Sequence, residues 1–232
     1  PGIITLKYDV EAWRRYATQV FTSGEEVHVS EKLHGCNSRY VFAGDQIYCG
    51  SRTEWKRQYP TYDHLTLENL TSKVGEEKAH EIFNRVASKK TQENLWWKIL
   101  SLYPDLSRWL KDHPNHILYG EIYGQVQDLR YGTTPGEIRF AAFDILNPDT
   151  EWCDIDHQLD LLDGYNIPQV PQLYRGPYDP ITVEALANGQ STILGANHVR
   201  EGVVIRSIQE RCHSEAGRAL LKLINLAYLE RP

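Results

Sequence analysis

Residues 30–37 read S-E-K-L-H-G-C-N, with Lys32 closing an alternating apolar segment and Gly35 three residues on. An amine held at a strand end can be desolvated or set beside other cations. Either lowers its pKa and makes it a nucleophile. Glycine at the third place permits a close backbone approach or a positive φ. The same letters also describe a surface lysine before a turn, so the tetrapeptide alone decides nothing. Further groups follow in chain order. Gly50-Ser51-Arg52 closes a hairpin-like stretch. Tyr119-Gly120-Glu121-Ile122-Tyr123-Gly124 sets a carboxylate inside an apolar run. Phe143 stands beside Asp144, Glu201 precedes Gly202 at the head of Val203-Val204-Ile205, and Lys222 sits between Leu221 and Leu223. Charged groups inside apolar strands are costly unless paired or bound to a ligand. Each also has a structural explanation: Glu121 pairing with Arg130, Glu201 with Arg206, Phe143 as core, Lys222 guarding an edge strand. Together, in this order, they point to a site.

Strands must hold these groups. Residues 27–33 alternate as a strand, and 38–42 and 46–49 flank Ala43-Gly44-Asp45 as a hairpin. Strand character returns at 116–123 and 138–146, and short apolar runs occupy 199–207 and 219–226. A helix is predicted at 9–21, capped by Asp9, with Val10, Trp13, Ala17, Val20 and Phe21 on one face. Another spans 95–110, split or kinked at Pro104, and a third spans 154–165. Residues 65–92 are polar, a helix with loops. Strands in groups with helices inserted, not regular βαβ alternation, predict an α+β fold of largely antiparallel sheets. Neither G-x-G-x-x-G nor G-x-x-x-x-G-K-[ST] occurs, so the two common phosphate loops are absent.

The order K-x-x-G, Ser-Arg, strand Glu, aromatic-Asp, E-G-x-V and a terminal strand Lys resembles the covalent nucleotidyltransferase superfamily of ligases and capping enzymes. The resemblance runs from Glu31 to Asn225. DNA ligases and capping enzymes there usually carry K-x-D-G. Lys32-Leu33-His34-Gly35-Cys36-Asn37 instead resembles the E-K-x-H-G-x-N of the ATP-dependent RNA ligase 2-type family. The resemblance implies antiparallel sheets forming a nucleotide-binding cleft with flanking helices, an ATP-grasp-like arrangement. It implies that Lys32 attacks the α-phosphorus of ATP to give lysyl-AMP. Glu31 would read the adenine amino group, Phe143 would stack on the base, and Leu33 would line the nucleotide site. Arg52 and Glu121 would hold the ribose, and Lys222 would contact the α-phosphate. Glu201, Glu121 and Asn37 would serve Mg²⁺ or Mn²⁺, hard cations that suit oxygen donors. The partner would be RNA, with AMP passing to a 5′-phosphate end that a 3′-hydroxyl then seals, as in RNA repair. A further substrate-binding domain would lie outside this chain. The rival readings are a DNA ligase, a guanylyltransferase, or a module that binds nucleotides or RNA ends without catalysis. One departure stands out: many members end in K-x-K, but Ile224 takes the second place here, so either one lysine suffices in this branch or another cation serves, with Arg206 and Arg218 as candidates. His34 is read either as a turn residue bonded to backbone or as a group near the phosphate, with the structural role favoured.

The 232 residues are 41% hydrophobic and 11% aromatic, enough apolar surface to build a core and to argue against disorder. One adenylyltransferase domain over 1–232 is expected. A formal charge of −6 leaves any nucleic-acid contact to local basic patches. Cys36, Cys49, Cys153 and Cys212 form no C-x-x-C pair, which indicates neither zinc nor a disulfide scaffold and favours a reducing compartment. No apolar run approaches the ~20 residues of a membrane span, and residues 1–15 lack a signal-peptide layout. A soluble cytoplasmic protein is the expectation.

Overall fold

A computed structural model describes residues 2–61, 65–90 and 92–231; Thr91, in the polar stretch expected to be helical, lies outside them. The chain opens with a short strand β1 (Glu11–Ala12), helix α1 (Trp13–Val20) and strand β2 (Glu26–Lys32). The hairpin β3 (Cys36–Ala43) and β4 (Gln46–Gly50) is extended by β5 (Trp55–Lys56). Helices α2 (Leu67–Val74), α3 (Glu76–Lys89), α4 (Leu95–Leu102) and α5 (Pro104–Asp112) follow, then strands β6 (Ile117–Gly124) and β7 (Ile138–Leu146). The remainder is α6 (Ile155–Leu162), β8 (Gln172–Pro177), α7 (Pro180–Ala187), β9 (Gly202–Ser207), a small hairpin β10 (Cys212–His213) and β11 (Gly217–Arg218), β12 (Leu220–Ile224) and α8 (Leu226–Leu229).

Two five-stranded sheets result. The first runs β1-β12-β9-β2-β8 and is antiparallel apart from the β1–β12 pairing; the second, β5-β4-β3-β6-β7, is antiparallel throughout. The α+β expectation holds. Strand periodicity explains the layers, because alternate side chains take opposite faces. In the first sheet Val27, Val29, Val203, Ile205 and Leu221 share a core with Trp13 and Val20 of α1 and Val183 of α7. In the second, Tyr40, Leu118, Ile122 and Phe140 pack on Ile99, Leu106 and Trp109 of α4 and α5. The opposite faces meet across a cleft. Asp144 of β7, fully buried, ties the sheets together through Arg206 at 3.0 Å and Arg218 at 2.7 Å.

Several boundaries move for local reasons. The first helix starts at Trp13, not at 9, because Glu11 and Ala12 pair in parallel with Leu221 and Lys222 and hold the chain extended. Asp9 is therefore no cap, and Val10 leaves the helix face. Pro104 does split its segment, sitting in the first turn of α5, where its missing N–H costs nothing. The polar stretch is two helices parted at Gly75. Among the described residues, no helix is long and apolar enough to cross a membrane.

Candidate active site

Lys32 is the last residue of β2 and pairs opposite Gly202 of β9. The chain then turns through Gly35 against β6, where a Cβ would lie 2.1 Å from the Ile122 carbonyl oxygen. A Cβ on Gly202 would meet the Leu223 carbonyl oxygen equally closely. Both motif glycines are thus required by backbone approach. Lys32 Nζ donates to Glu201 Oε1 at 2.7 Å, while Glu201 Oε2 is buried with no hydrogen-bond partner among the described residues. From the other sheet, Asn37 of β3 and Glu121 of β6 stand opposite each other in register. Asn37 Oδ1 is also buried with no hydrogen-bond partner among the described residues. The Glu121 carboxyl is pushed up to about 8, chiefly by burial and further by Glu201, although Lys32 acts against this. Lys32, Asn37 and Glu121 line one cleft of about 700 Å³, with Leu33, Arg52, Phe143 and Lys222, and Glu201 lies behind Lys32, bonded to it. The ion pairs considered for the motif carboxylates do not form here: Glu201 takes Lys32, and Glu121 accepts from the Gly35 backbone N–H.

Phe143 lines the cleft; three residues from Phe140, it takes the opposite face of β7, at a point where the strand carries a bulge. Tyr119 pairs with Asp144 and Gly120 with Ala142, which leaves Phe143 as the extra residue. Tyr8 packs against it at 4.8 Å between ring centroids. Phe140 points the other way into the core and is fully buried. Arg52 is half exposed and lies 3.5 Å from Asp9, so its guanidinium already has a carboxylate neighbour in the cleft wall.

Glu31 is buried and lines the cleft. Its carboxylate accepts from Ser191 Oγ at 2.5 Å and from Thr192 N and Oγ1 at 2.7 and 2.6 Å, so both oxygens already have partners. Two expectations need correction. Arg206 and Arg218 are not spare cations, since Asp144 and Glu210 hold both. His34 is bonded to side chains, not backbone: Nε2 lies 2.7 Å from Asp128, and Nδ1 lies 3.1 Å from Tyr228 Oη and 3.9 Å from Glu201. Sequence reasoning also missed Tyr8, His28 and Gln158 as cleft-lining residues. His28 was accessible to it through its even spacing from Lys32, whereas Tyr8 and Gln158 arrive from distant segments.

The donor set fits a hard divalent cation. Asn37 Oδ1, buried without a hydrogen-bond partner among the described residues, and the Glu121 carboxyl line the cleft, and Glu201, whose Oε2 likewise has no hydrogen-bond partner among them, is bonded to Lys32 there. Among the described residues, no three His, Cys, Asp or Glu side chains form a metal cage. A cation here would need water or phosphate oxygens to complete its shell, as Mg²⁺ commonly does.

The RNA ligase family model matches residues 25–224. The chain belongs to the RNA ligase family. No curated protein matches it. Solved structures with this fold include a Naegleria gruberi RNA ligase mutant in the apo form, at TM-score 0.70 and 22% identity. A mutant of that ligase with ATP and Mn gives 0.69 and 22%, and one with AMP and Mn gives 0.70 and 21%. Each alignment covers 99% of this chain and 58% of the other, so this RNA ligase family member spans little more than half their length. At this identity the likeness establishes the fold.

Proposed function

We propose that the chain is the adenylyltransferase domain of an ATP-dependent RNA ligase of the RNA ligase 2-type branch. The reading is carried by the Lys32 amine, 2.7 Å from Glu201 in a cleft that also holds Glu121, Asn37, Phe143 and Lys222. Lys32 Nζ, once deprotonated, attacks the α-phosphorus of ATP; the N–P bond forms as the bond to the β-phosphate oxygen breaks, and pyrophosphate leaves with the electron pair. An oxygen of an RNA 5′-phosphate then takes the AMP, and the amine leaves and regains a proton. A 3′-hydroxyl attacks the activated phosphate, joins the ends and releases AMP.

The residues divide this work. Glu201 holds the Lys32 amine in place by a 2.7 Å hydrogen bond while the two are paired. Phe143 offers a face for the base, and Lys222 and Arg52 offer positive charge to the phosphates. Asn37, Glu121 and Glu201 would hold Mg²⁺ or Mn²⁺, which would neutralise phosphate charge and compete with Lys32 for Glu201. Partial sequestration of Lys32 before nucleotide entry is consistent with this arrangement.

The test is label transfer to protein from α-labelled ATP or GTP, followed by sealing assays on matched nicked RNA and DNA. Label from ATP on Lys32, with RNA preferred in sealing, is expected. Label from GTP, or none, would overturn the reading.

A further inference from the structure

Outside the cleft lining, one buried cation has no anion. Arg39 alternates with Asn37 on β3, so it shares that residue's face of the sheet roughly 7 Å further along. It is only 4% exposed, and its Nε is buried with no hydrogen-bond partner among the described residues. Nη1 donates to a neutral hydroxyl, Thr5 Oγ1, at 2.8 Å. The guanidinium lies 4.4 Å over the Trp55 ring and against Gly50, where a Cβ would come within 3.1 Å of Nε. The Tyr119 hydroxyl also meets it and donates in turn to the Leu6 carbonyl at 3.2 Å. No carboxylate among the described residues stands within ion-pair distance, whereas Arg206 and Arg218 are both held by Asp144. A guanidinium taken from water without an anion is costly, and its planar fork matches a phosphate.

The groups that meet Arg39 from outside the sheet belong to the segment before β1, and that segment is loosely held. Residues 2–9 form neither helix nor strand and make no backbone–backbone hydrogen bond among the described residues. Ile3 packs on the sheet, but Ile4 is 69% exposed and Leu6 36%. Tyr8, set among Tyr119, Phe143 and Trp152, anchors the far end. We propose that residues 3–7 are a strap that lifts off Arg39 about the Tyr8 anchor, and that the uncovered guanidinium takes a phosphate of the RNA strand. This rests on the ligase reading above. ATP does not need the site, because its phosphates must reach Lys32 and Arg39 lies outside the cleft lining. An RNA end brought to the same lysine carries further phosphates, which call for cations beyond the cleft. Arg52 and Arg57, both exposed, flank β5, the edge strand that carries Trp55. A chain of net charge −6 must gather such contacts locally. The exchange replaces one bond to a neutral hydroxyl by charge-assisted bonds to an anion, which are about twice as strong.

The experiment titrates the wild-type chain, Arg39→Gln, Arg39→Lys and Thr5→Val with a 5′-phosphorylated single-stranded RNA over a series of salt concentrations. The KM for ATP in label transfer and the melting temperature are measured on each. Arg39→Gln should weaken RNA binding about tenfold and lower the slope of log affinity against log salt by about 0.7, the share of one phosphate on a single strand. Arg39→Lys keeps the charge and should keep the slope. Thr5→Val removes the acceptor that holds the strap on Arg39 and should tighten RNA binding about threefold. A lower melting temperature in Arg39→Gln, with RNA affinity and slope unchanged, would make Arg39 a prop for Trp55 and overturn the proposal. A KM for ATP that rises as far as the RNA Kd would give the site to the nucleotide and overturn it too. Wild-type RNA affinity in Thr5→Val would show that the strap does not compete, and this variant carries the test if Arg39→Gln does not fold. Wild type that takes no label from ATP would overturn the ligase reading, while the RNA titration still decides the site.

Discussion

Around Lys32 the buried atoms that lack a hydrogen-bond partner among the described residues are oxygens, Asn37 Oδ1 and Glu201 Oε2; at the His28 end of the cleft there is a nitrogen, Arg206 Nε. Leaving a buried polar group unsatisfied costs about 1–3 kcal/mol, so each end is a place where a ligand gains by supplying the missing half. Oxygens call for a cation, and nitrogens with hydrogens call for an acceptor such as a base ring nitrogen. The ion pairs differ in the same way. Lys32 and Glu201 form a single bond that must open for the amine to react. Asp144, fully buried, has two arginines and a backbone N–H from Ile145, a set built to stay closed. One end is arranged for exchange and the other for fixed position.

The largest test of that contrast is Lys32→Ala. It is expected to abolish label transfer from α-labelled ATP while leaving the thermal unfolding profile close to wild type. Lys32→Arg should fail equally, because guanidinium stays protonated. A Lys32→Ala protein that still takes label would show that the reactive end lies elsewhere. Next comes Glu201→Gln, which keeps shape and a hydrogen bond to Lys32 but loses the charge a hard cation requires. A loss of about a hundredfold in adenylation is expected, with the Mn²⁺ and Mg²⁺ titrations displaced to higher concentration. Wild-type rate and metal dependence in that variant would take Glu201 out of the cation site.

The two phenylalanines of β7 sharpen the comparison at the base end. Phe143→Ala should raise the KM for ATP by the equivalent of roughly 1–3 kcal/mol of stacking, with a small change in melting temperature. Phe140→Ala should do the reverse, costing about 3–5 kcal/mol of stability, since Phe140 is fully buried among Tyr40, Tyr103 and Gly120. Nucleotide titrations and melting curves on both variants would settle it; parallel effects would mean that the two faces of β7 do not separate the two roles.

Much of this arrangement was legible where a short-range rule applies. The strand at 138–146 appears with its expected bounds, the hairpin closes at Ala43-Gly44-Asp45, and Pro104 divides two helices. Fold class followed from the grouping of such elements. Contacts between distant segments were not legible. Asp9 has the chemistry of a helix cap, but β1 pairing with β12 overrides it, a tertiary preference that a local window does not contain. Ser191 and Thr192 claim Glu31 from 160 residues away. Arg206 and Arg218 looked spare because Asp144, their shared partner, sits in another sheet.

The gentlest test concerns Glu121 and pH. Burial and Glu201 hold its carboxyl up to about 8 in the folded chain, against 4.5 for the free group. The folded state thus keeps a proton that the unfolded chain gives up. Its contribution to stability is fully present below about 4.5 and is lost as pH rises through about 8, so the slope is opposite to that of a salt-bridged carboxylate. Glu121→Gln removes this titration. Between pH 5 and 8 the wild-type melting temperature should therefore fall relative to that of Glu121→Gln. A cation that uses Glu121 must displace the proton, so its apparent affinity should strengthen as pH approaches 8 and level off above. Mn²⁺ should accordingly raise the wild-type melting temperature more at pH 8 than at pH 6, and Glu121→Gln should show little of that difference. Melting curves at several pH values, with and without Mn²⁺, provide the measurement. Parallel curves for the two proteins would mean that Glu121 is ionised in the resting cleft, and the oxygens at the Lys32 end would then carry one more negative charge than the comparison between the two ends assumes.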